Sequence, residues 1–156
     1  MSRILSMWYT ELPPSENKIR IIRVNRGKPG GMAYTREASD YKKDFKTFVR
    51  NNYPTEVIEF AKAHKETNIY RVSIDLFFTK EQIINKGWPD TKTYYKKMDV
   101  GNRRKLLEDC LAEVVGIDDM YTFDLRMTKN IVNSQELTPG VKITIKRISD
   151  LERYGL

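Results

Sequence analysis

Apolar residues along the chain fall into two rhythms, one of period two and one of three to four. Residues 70–78 (YRVSIDLFF) set Tyr70, Val72, Ile74, Leu76 and Phe78 on one side, which predicts a strand. Residues 121–129 alternate in the same way, with Tyr121, Phe123, Leu125 and Met127 on one face. VKITIKRI at 141–148 follows a TPG turn at 138–140 and is a third alternating strand. Residues 4–11, ended by Pro13-Pro14, and residues 19–26 predict two more, and GKPGG at 27–31 predicts a flexible loop. Tyr34, Ala38, Tyr41, Phe45, Phe48 and Val49 recur at helical spacing. A second helix is expected after Pro54, over 55–65, and a third over 102–115. Residues 80–97 are a polar insertion with room for one helical turn. Strands and helices mix without a βαβ rhythm, which predicts an α+β fold: one domain over 1–156, a mixed sheet with packed helices.

The helix at 102–115 carries the most informative surroundings. Leu106, Leu107, Cys110, Leu111, Val114 and Val115 form a wide apolar face, with Cys110 as a small core residue. Asn102, Lys105 and Asp109 cluster on the opposite side, with Glu113 near them. Asp99 or Asn102 could cap the helix, Gly116 suits its C-terminal stop, and Asp118-Asp119 could be a solvated turn. The charges nevertheless oppose the helix dipole. Arg103, Arg104 and Lys105 crowd the first turn, and acids follow the last. Each mismatch costs only a few tenths of a kcal/mol, about 0.3 or more, but residues that break local rules concentrate where function is. Acids beside a basic cluster are what phosphodiester hydrolysis needs: oxygen ligands for Mg²⁺ and lysines for the phosphate.

The totals narrow the chemistry further. With one cysteine, Cys110, and one histidine, His64, the chain has no intrachain disulfide and no Cys/His zinc cage. His64 lies in the charged stretch KAHKE, so carboxylates and lysines have to carry any reaction. The net charge of +7 favours a polyanionic partner. The apolar runs are far shorter than the roughly 20 residues of a membrane span, and the N-terminal stretch lacks a secretory h-region, so the expected location is intracellular.

These residues are similar in order and spacing to the RusA-type Holliday-junction resolvases. DVGN at 99–102 answers to that family's Asp-x-Asp-Asn, Lys105 to its lysine, DCL at 109–111 to its Asp-x-Leu and DD at 118–119 to its acidic pair. PPSEN at 13–17 looks like its early Pro-Pro-Ser-x-Asn segment. The resemblance extends over nearly the whole chain, with residues 80–95 longer than usual. It implies a homodimeric, Mg²⁺-dependent endonuclease, with Mn²⁺ as the expected substitute, that resolves four-way junctions by paired nicks in DNA recombination and repair. It also implies a phage- or prophage-encoded protein in the cytoplasm of a bacterial host. Asp99, Asp118 and Asp119 are then the metal ligands and Lys105 the phosphate-binding residue, with Asn102, Asp109 and Glu108 in support. Gly101 stands where the family has its second Asp. Either Glu108 or a water fills that ligand position, or the chain holds branched DNA with weakened or absent cleavage.

A helix over 102–115 is about 21 Å long at 1.5 Å per residue, so Asp99 and Asp119 are expected at opposite ends. Metal ligands lie within about 2.0–2.6 Å of an ion, which two helices meeting antiparallel about a two-fold would satisfy in two composite sites. DNA is expected along Lys18, Arg20, Arg23 and Arg26 and along Lys96, Lys97, Arg103 and Arg104. Trp88, Tyr94 and Tyr95 are interleaved with the second run, and tyrosines so placed ordinarily pack rather than stack on bases.

Overall fold

The structure, a computed structural model, describes residues 3–15, 18–25, 28–96, 98, 101–132 and 138–148, with the backbone alone at 20–25, 28–32 and 102. Strand β1 (Ile4–Tyr9) precedes a hairpin of β2 (Arg20–Asn25) and β3 (Lys28–Tyr34). Helices α1 (Arg36–Asn52) and α2 (Pro54–Lys62) lead into β4 (Ile69–Phe78) and a single turn, α3 (Lys80–Ile83). Helix α4 (Gly101–Val115), a 3₁₀ turn (Asp119–Tyr121), β5 (Thr122–Ile131) and β6 (Gly140–Ile148) complete the order. Four strands form a mixed sheet in the order β1-β6-β4-β5, parallel only between β4 and β5. The result is the expected α+β domain.

Alternation explains how the layers close. Tyr70, Val72, Ile74, Leu76 and Phe78 of β4 are buried together with Leu5, Met7 and Tyr9 of β1 and Val141, Ile143 and Ile145 of β6. That face receives α1 through Ala38, Tyr41, Phe45 and Val49, and α4 through Leu106, Leu107, Cys110, Leu111 and Val115. Thr35 caps α1 by accepting from the Ala38 N–H, and Pro54 opens α2, where its missing N–H is harmless. The other face of the sheet is polar and half-open, with Arg71 paired to Asp124 at 2.7 Å and Thr128 donating to Asp75 at 2.6 Å.

Three expectations need correction. The GKPGG loop is strand from Lys28 onward: Pro29 and the glycines lie in a two-stranded hairpin, all edge, where a missing N–H is tolerated. Helix α2 ends at Lys62 rather than 65, leaving His64 in the following turn. Phe123 does not share a face with Leu125 and Met127. Register runs Tyr70↔Thr122 and then Arg71↔Asp124, so a bulge removes Phe123 from the ladder and leaves it half-exposed. Leu125 and Met127 then pair with Val72 and Ile74 and pack on the core.

Gly140 begins β6 where β1 crosses closest. A Cβ there would stand 2.5 Å from the Tyr9 carbonyl oxygen and 3.1 Å from the Trp8 ring. Gly140→Ala is expected to cost about 1–3 kcal/mol, read as a lower urea midpoint at unchanged m-value. An unaltered midpoint would mean that β1 yields without penalty.

Candidate active site

Helix α4 divides into three sides. One is buried in the core. On one flank, Asp109 accepts a hydrogen bond from the Tyr34 hydroxyl, and Glu113 meets Lys42 of α1 at 2.8 Å. These acids tie the helix to β3 and α1, so Asp109 has a structural partner of its own. On the other flank Glu108 borders a cleft with Leu111, Ala112, Val115, Tyr70, Val72 and Ile145. Lys105 lies on the ridge between the two flanks, partly exposed.

Asp119 enters that same cleft from the far side. Gly116 takes a left-handed φ of 76°, stops α4 as expected and reverses the chain. Asp118 then accepts from the Met120 N–H at 2.9 Å and starts the 3₁₀ turn that carries Asp119. The turn folds back far enough that Asp119 lines one pocket with Glu108. Glu108 itself lies about 10 Å along the axis from Gly101 at 1.5 Å per residue.

Residues outside every motif hold this turn. Tyr121 donates to Glu66 at 2.6 Å, and the His64 ring meets Tyr121 nearly edge-on at 4.6 Å. His64 Nδ1 lies 2.7 Å from the hydroxyl of Tyr70, whose residue lines the cleft. Pairs 55 residues apart such as Glu66 and Tyr121 leave no signal in sequence spacing.

Burial pushes the Glu108 carboxyl above its ordinary range. Arg104, 3.9 Å away, pulls it back, Asp119 pushes it up again, and Lys105 lowers it. The carboxylate of Glu108 is thus electrostatically joined to Asp119, Arg104 and Lys105, the groups expected to handle phosphate.

Other candidates separate. Arg103 is only 7% exposed, donates to the Pro14 carbonyl at 3.1 Å and lies over the Phe78 ring at 5.5 Å. It docks the Pro-Pro segment against the head of α4, and its assignment to DNA is withdrawn. Arg104, Lys18 and Lys96 are exposed. Asp99, Lys97 and Arg26 lie outside the described residues, as do the side chains of Asn102, Arg20 and Arg23.

The donor chemistry fits a hard divalent cation: Asp118, Asp119 and Glu108 offer oxygen alone. Among the described residues, no three histidine, cysteine or acidic side chains converge as a ready metal site. The set therefore needs a further ligand, and Asp99 is the sequence's candidate.

The sequence model of the family described as endodeoxyribonuclease RusA matches residues 12–146, most of the chain. Among curated proteins none matches. The matched region spans the cleft, the turn and the insertion before α4.

Two outcomes are expected of substitutions here. Folded Glu108 holds its proton more tightly than the unfolded chain, so ionisation works against the fold. That cost is absent below the ordinary value of 4.5 and grows as pH rises through the raised folded value. Glu108→Gln should therefore raise the thermal midpoint at neutral pH and leave it unchanged in acid. An equal shift at both pH values would count against the electrostatic account. Arg103→Gln should cost about 1–3 kcal/mol of stability and leave the salt slope of DNA binding unchanged. A shallower slope would return Arg103 to the DNA surface.

Proposed function

The chain belongs to the RusA endodeoxyribonuclease family, and from that premise we propose that it is a Mg²⁺-dependent, structure-selective endonuclease that resolves four-way DNA junctions by paired nicks. The observation that carries this proposal is the cleft on α4, where Asp119 and Glu108 border one recess with Lys105 and Arg104 at its rim. Two acids and two basic side chains gathered about one recess have little use as packing. They suit a phosphate whose charge must be neutralised while a water is oriented against it.

In this function Asp119, Asp118 and Asp99 hold the cation, and Glu108 supplies the carboxylate missing at Gly101. When bound, Mg²⁺ supplies an acidified water and charge neutralisation at the departing oxygen. Lys105 binds a non-bridging phosphate oxygen, and its charge gains value as negative charge develops. Arg104 offsets part of the burial that raises the Glu108 pKa. Lys18 and Lys96, both exposed, add positive charge, and Arg20 and Arg23 are further candidates from the sequence; such contacts give affinity and salt dependence rather than sequence choice.

The protein acts as a homodimer. Asp99 precedes the head of α4 in the chain and Asp119 follows its far end, so the length of the helix must be bridged for the two to share one ion. A second copy laid antiparallel about a two-fold bridges it twice, giving two sites for two symmetric nicks. The same family membership and lack of a membrane-length apolar helix among the described residues fit a phage-type enzyme of a bacterial cytoplasm. A second function, junction binding with weakened cleavage, is favoured by one observation: Gly101 opens α4 where the family has its second Asp.

Nicking of a labelled four-way junction decides between them. The native protein is expected to cut symmetrically with Mg²⁺ or Mn²⁺ and not with EDTA, and Asp119→Asn to lose about 100-fold or more in rate, the scale of removing a transition-state electrostatic contact. Junction binding without a cut under any metal would leave the binding function standing, and Gly101→Asp should then restore cleavage. Active protein that is strictly monomeric by light scattering would overturn the two-fold sites.

A further inference from the structure

The insertion at 80–96 is ordered more tightly than a solvated lysine-rich loop needs to be. Thr79 and Gln82 form a capping box on α3, and Ile84 bridges Tyr95. The Asn85 amide donates to the Thr93 carbonyl at 2.7 Å and to the Tyr95 carbonyl at 3.2 Å. Lys96 N–H donates to the Ile83 carbonyl at 2.7 Å, and its Nζ to the Glu81 carbonyl at 2.9 Å. This small frame does not bury its aromatic rings. Trp88 is 49% exposed, Tyr94 42% and Tyr95 56%.

The rings form a connected ladder. Trp88 meets Tyr94 nearly edge-on at 5.8 Å, and Tyr94 meets Tyr95 the same way at 5.0 Å. Edge-on contact fixes each ring while leaving ring faces uncovered. Tyr95 also borders an apolar-floored recess with Ile83, Met98, Ile131, Lys96 and Lys129. Lys86, Lys92, Lys96 and Lys129 are exposed around the ladder, against Glu81 and Asp90. An ordered, exposed aromatic surface of this kind marks a binding site. Its rim argues for the class of partner. Protein interfaces favour arginine and deplete lysine, whereas residues 80–96 hold lysines and no arginine. Rings flanked by cations are the equipment for bases and the phosphates between them.

We infer that Trp88, Tyr94 and Tyr95 form a platform that stacks on unpaired or unstacked nucleobases of branched DNA, with Lys86, Lys92, Lys96 and Lys129 holding the adjoining phosphates. Bases inside a duplex present no free face, so the platform prefers branch points over linear DNA. It lies in the chain directly before Asp99 and, through Lys96, Met98 and Arg103, borders one recess with the head of α4. Preference for a branched substrate, left unexplained by phosphate contacts alone, acquires a physical source. The inference rests on the resolvase proposal for its substrate and not for its chemistry.

The test is a four-way junction carrying 2-aminopurine at the branch point, titrated in EDTA beside a matched linear duplex. The native protein should quench the probe and bind the junction in preference to the duplex. The Trp88→Ala, Tyr94→Ala double variant should lose the quench and about ten-fold of junction affinity, at the scale of base–aromatic stacking, while duplex affinity stays within about two-fold. Trp88→Phe in the Tyr94 background should keep the quench, and a thermal midpoint unchanged in the double variant separates lost stacking from lost folding. Lys92→Gln should lower the salt slope and spare the quench. Equal losses for junction and duplex, no loss for either, or no quench by the native protein would overturn the platform. Native quenching with no nick under Mg²⁺ would sink the resolvase proposal and leave the platform standing. Native nicking with junction preference intact in the double variant would do the reverse.

Discussion

Burial of one side of α4 is the constraint on which the rest of the molecule depends. Leu106, Leu107, Cys110, Leu111 and Val115 are held in the core between the sheet and the first two helices. An α-helix rotates its side chains by a fixed angle per residue, so fixing the apolar face fixes everything else around its circumference. Lys105 is thereby turned away from the core, and Glu108 toward the cleft, where Arg104 pairs with it at 3.9 Å. The flanking ties, Tyr34 to Asp109 and Lys42 to Glu113, lock the helix against rotation. Arg103 anchors its head to the Pro-Pro segment. The chemistry is exposed because the packing beneath it is not adjustable.

The opposite wall of the cleft is built differently. Asp119 sits on a single 3₁₀ turn whose apolar anchor is Tyr121, partly buried against the core, while Met120 is exposed. Its position comes from Glu66 and His64 in the turn after α2, together with the left-handed stop at Gly116. One wall is thus a rigid helix and the other a short turn held by Tyr121 and its polar contacts. Such an arrangement lets acidic groups approach one another while each keeps separate support, which limits how far mutual repulsion can relax the site.

Much of this was legible in the sequence, and the parts that were not share a cause. The alternation of Tyr70 to Phe78 and the helical spacing of Ala38 to Val49 report burial directly, because burial is what the pattern encodes, whereas Tyr34, expected at the head of that helix, closes β3 instead. The stop at Gly116 and the order of DVGN, Lys105 and Asp118-Asp119 were equally readable. What spacing could not carry was any relation set by a partner elsewhere in the chain. The bulge that expels Phe123 depends on how β5 pairs with β4. Arg103 looks like one more surface cation until Pro14 and Phe78 close over it. The return of Asp119 toward Glu108 follows from contacts with residues more than 50 positions earlier, such as Glu66. Glycine and proline at 28–31 suggested a loop, and hydrogen bonding to β2 overrode them. Tyr94 and Tyr95 of the insertion were expected to pack, because their exposure depends on how the frame around Asn85 turns.

Strand β5 has the acid turn at its first residue and the recess beside Tyr95 at its last, Ile131. It is ten residues long and hydrogen-bonded along its length to the central strand, so it spans about 30 Å at roughly 3.3 Å per residue. A paired strand neither stretches nor bends appreciably, and the pitch of duplex DNA is about 34 Å. The strand therefore works as a ruler: the acid turn and the recess beside Tyr95 are held close to one such pitch apart. Lengthening or shortening β5 would change that interval in steps of one residue, and each odd step would also exchange its inner and outer faces.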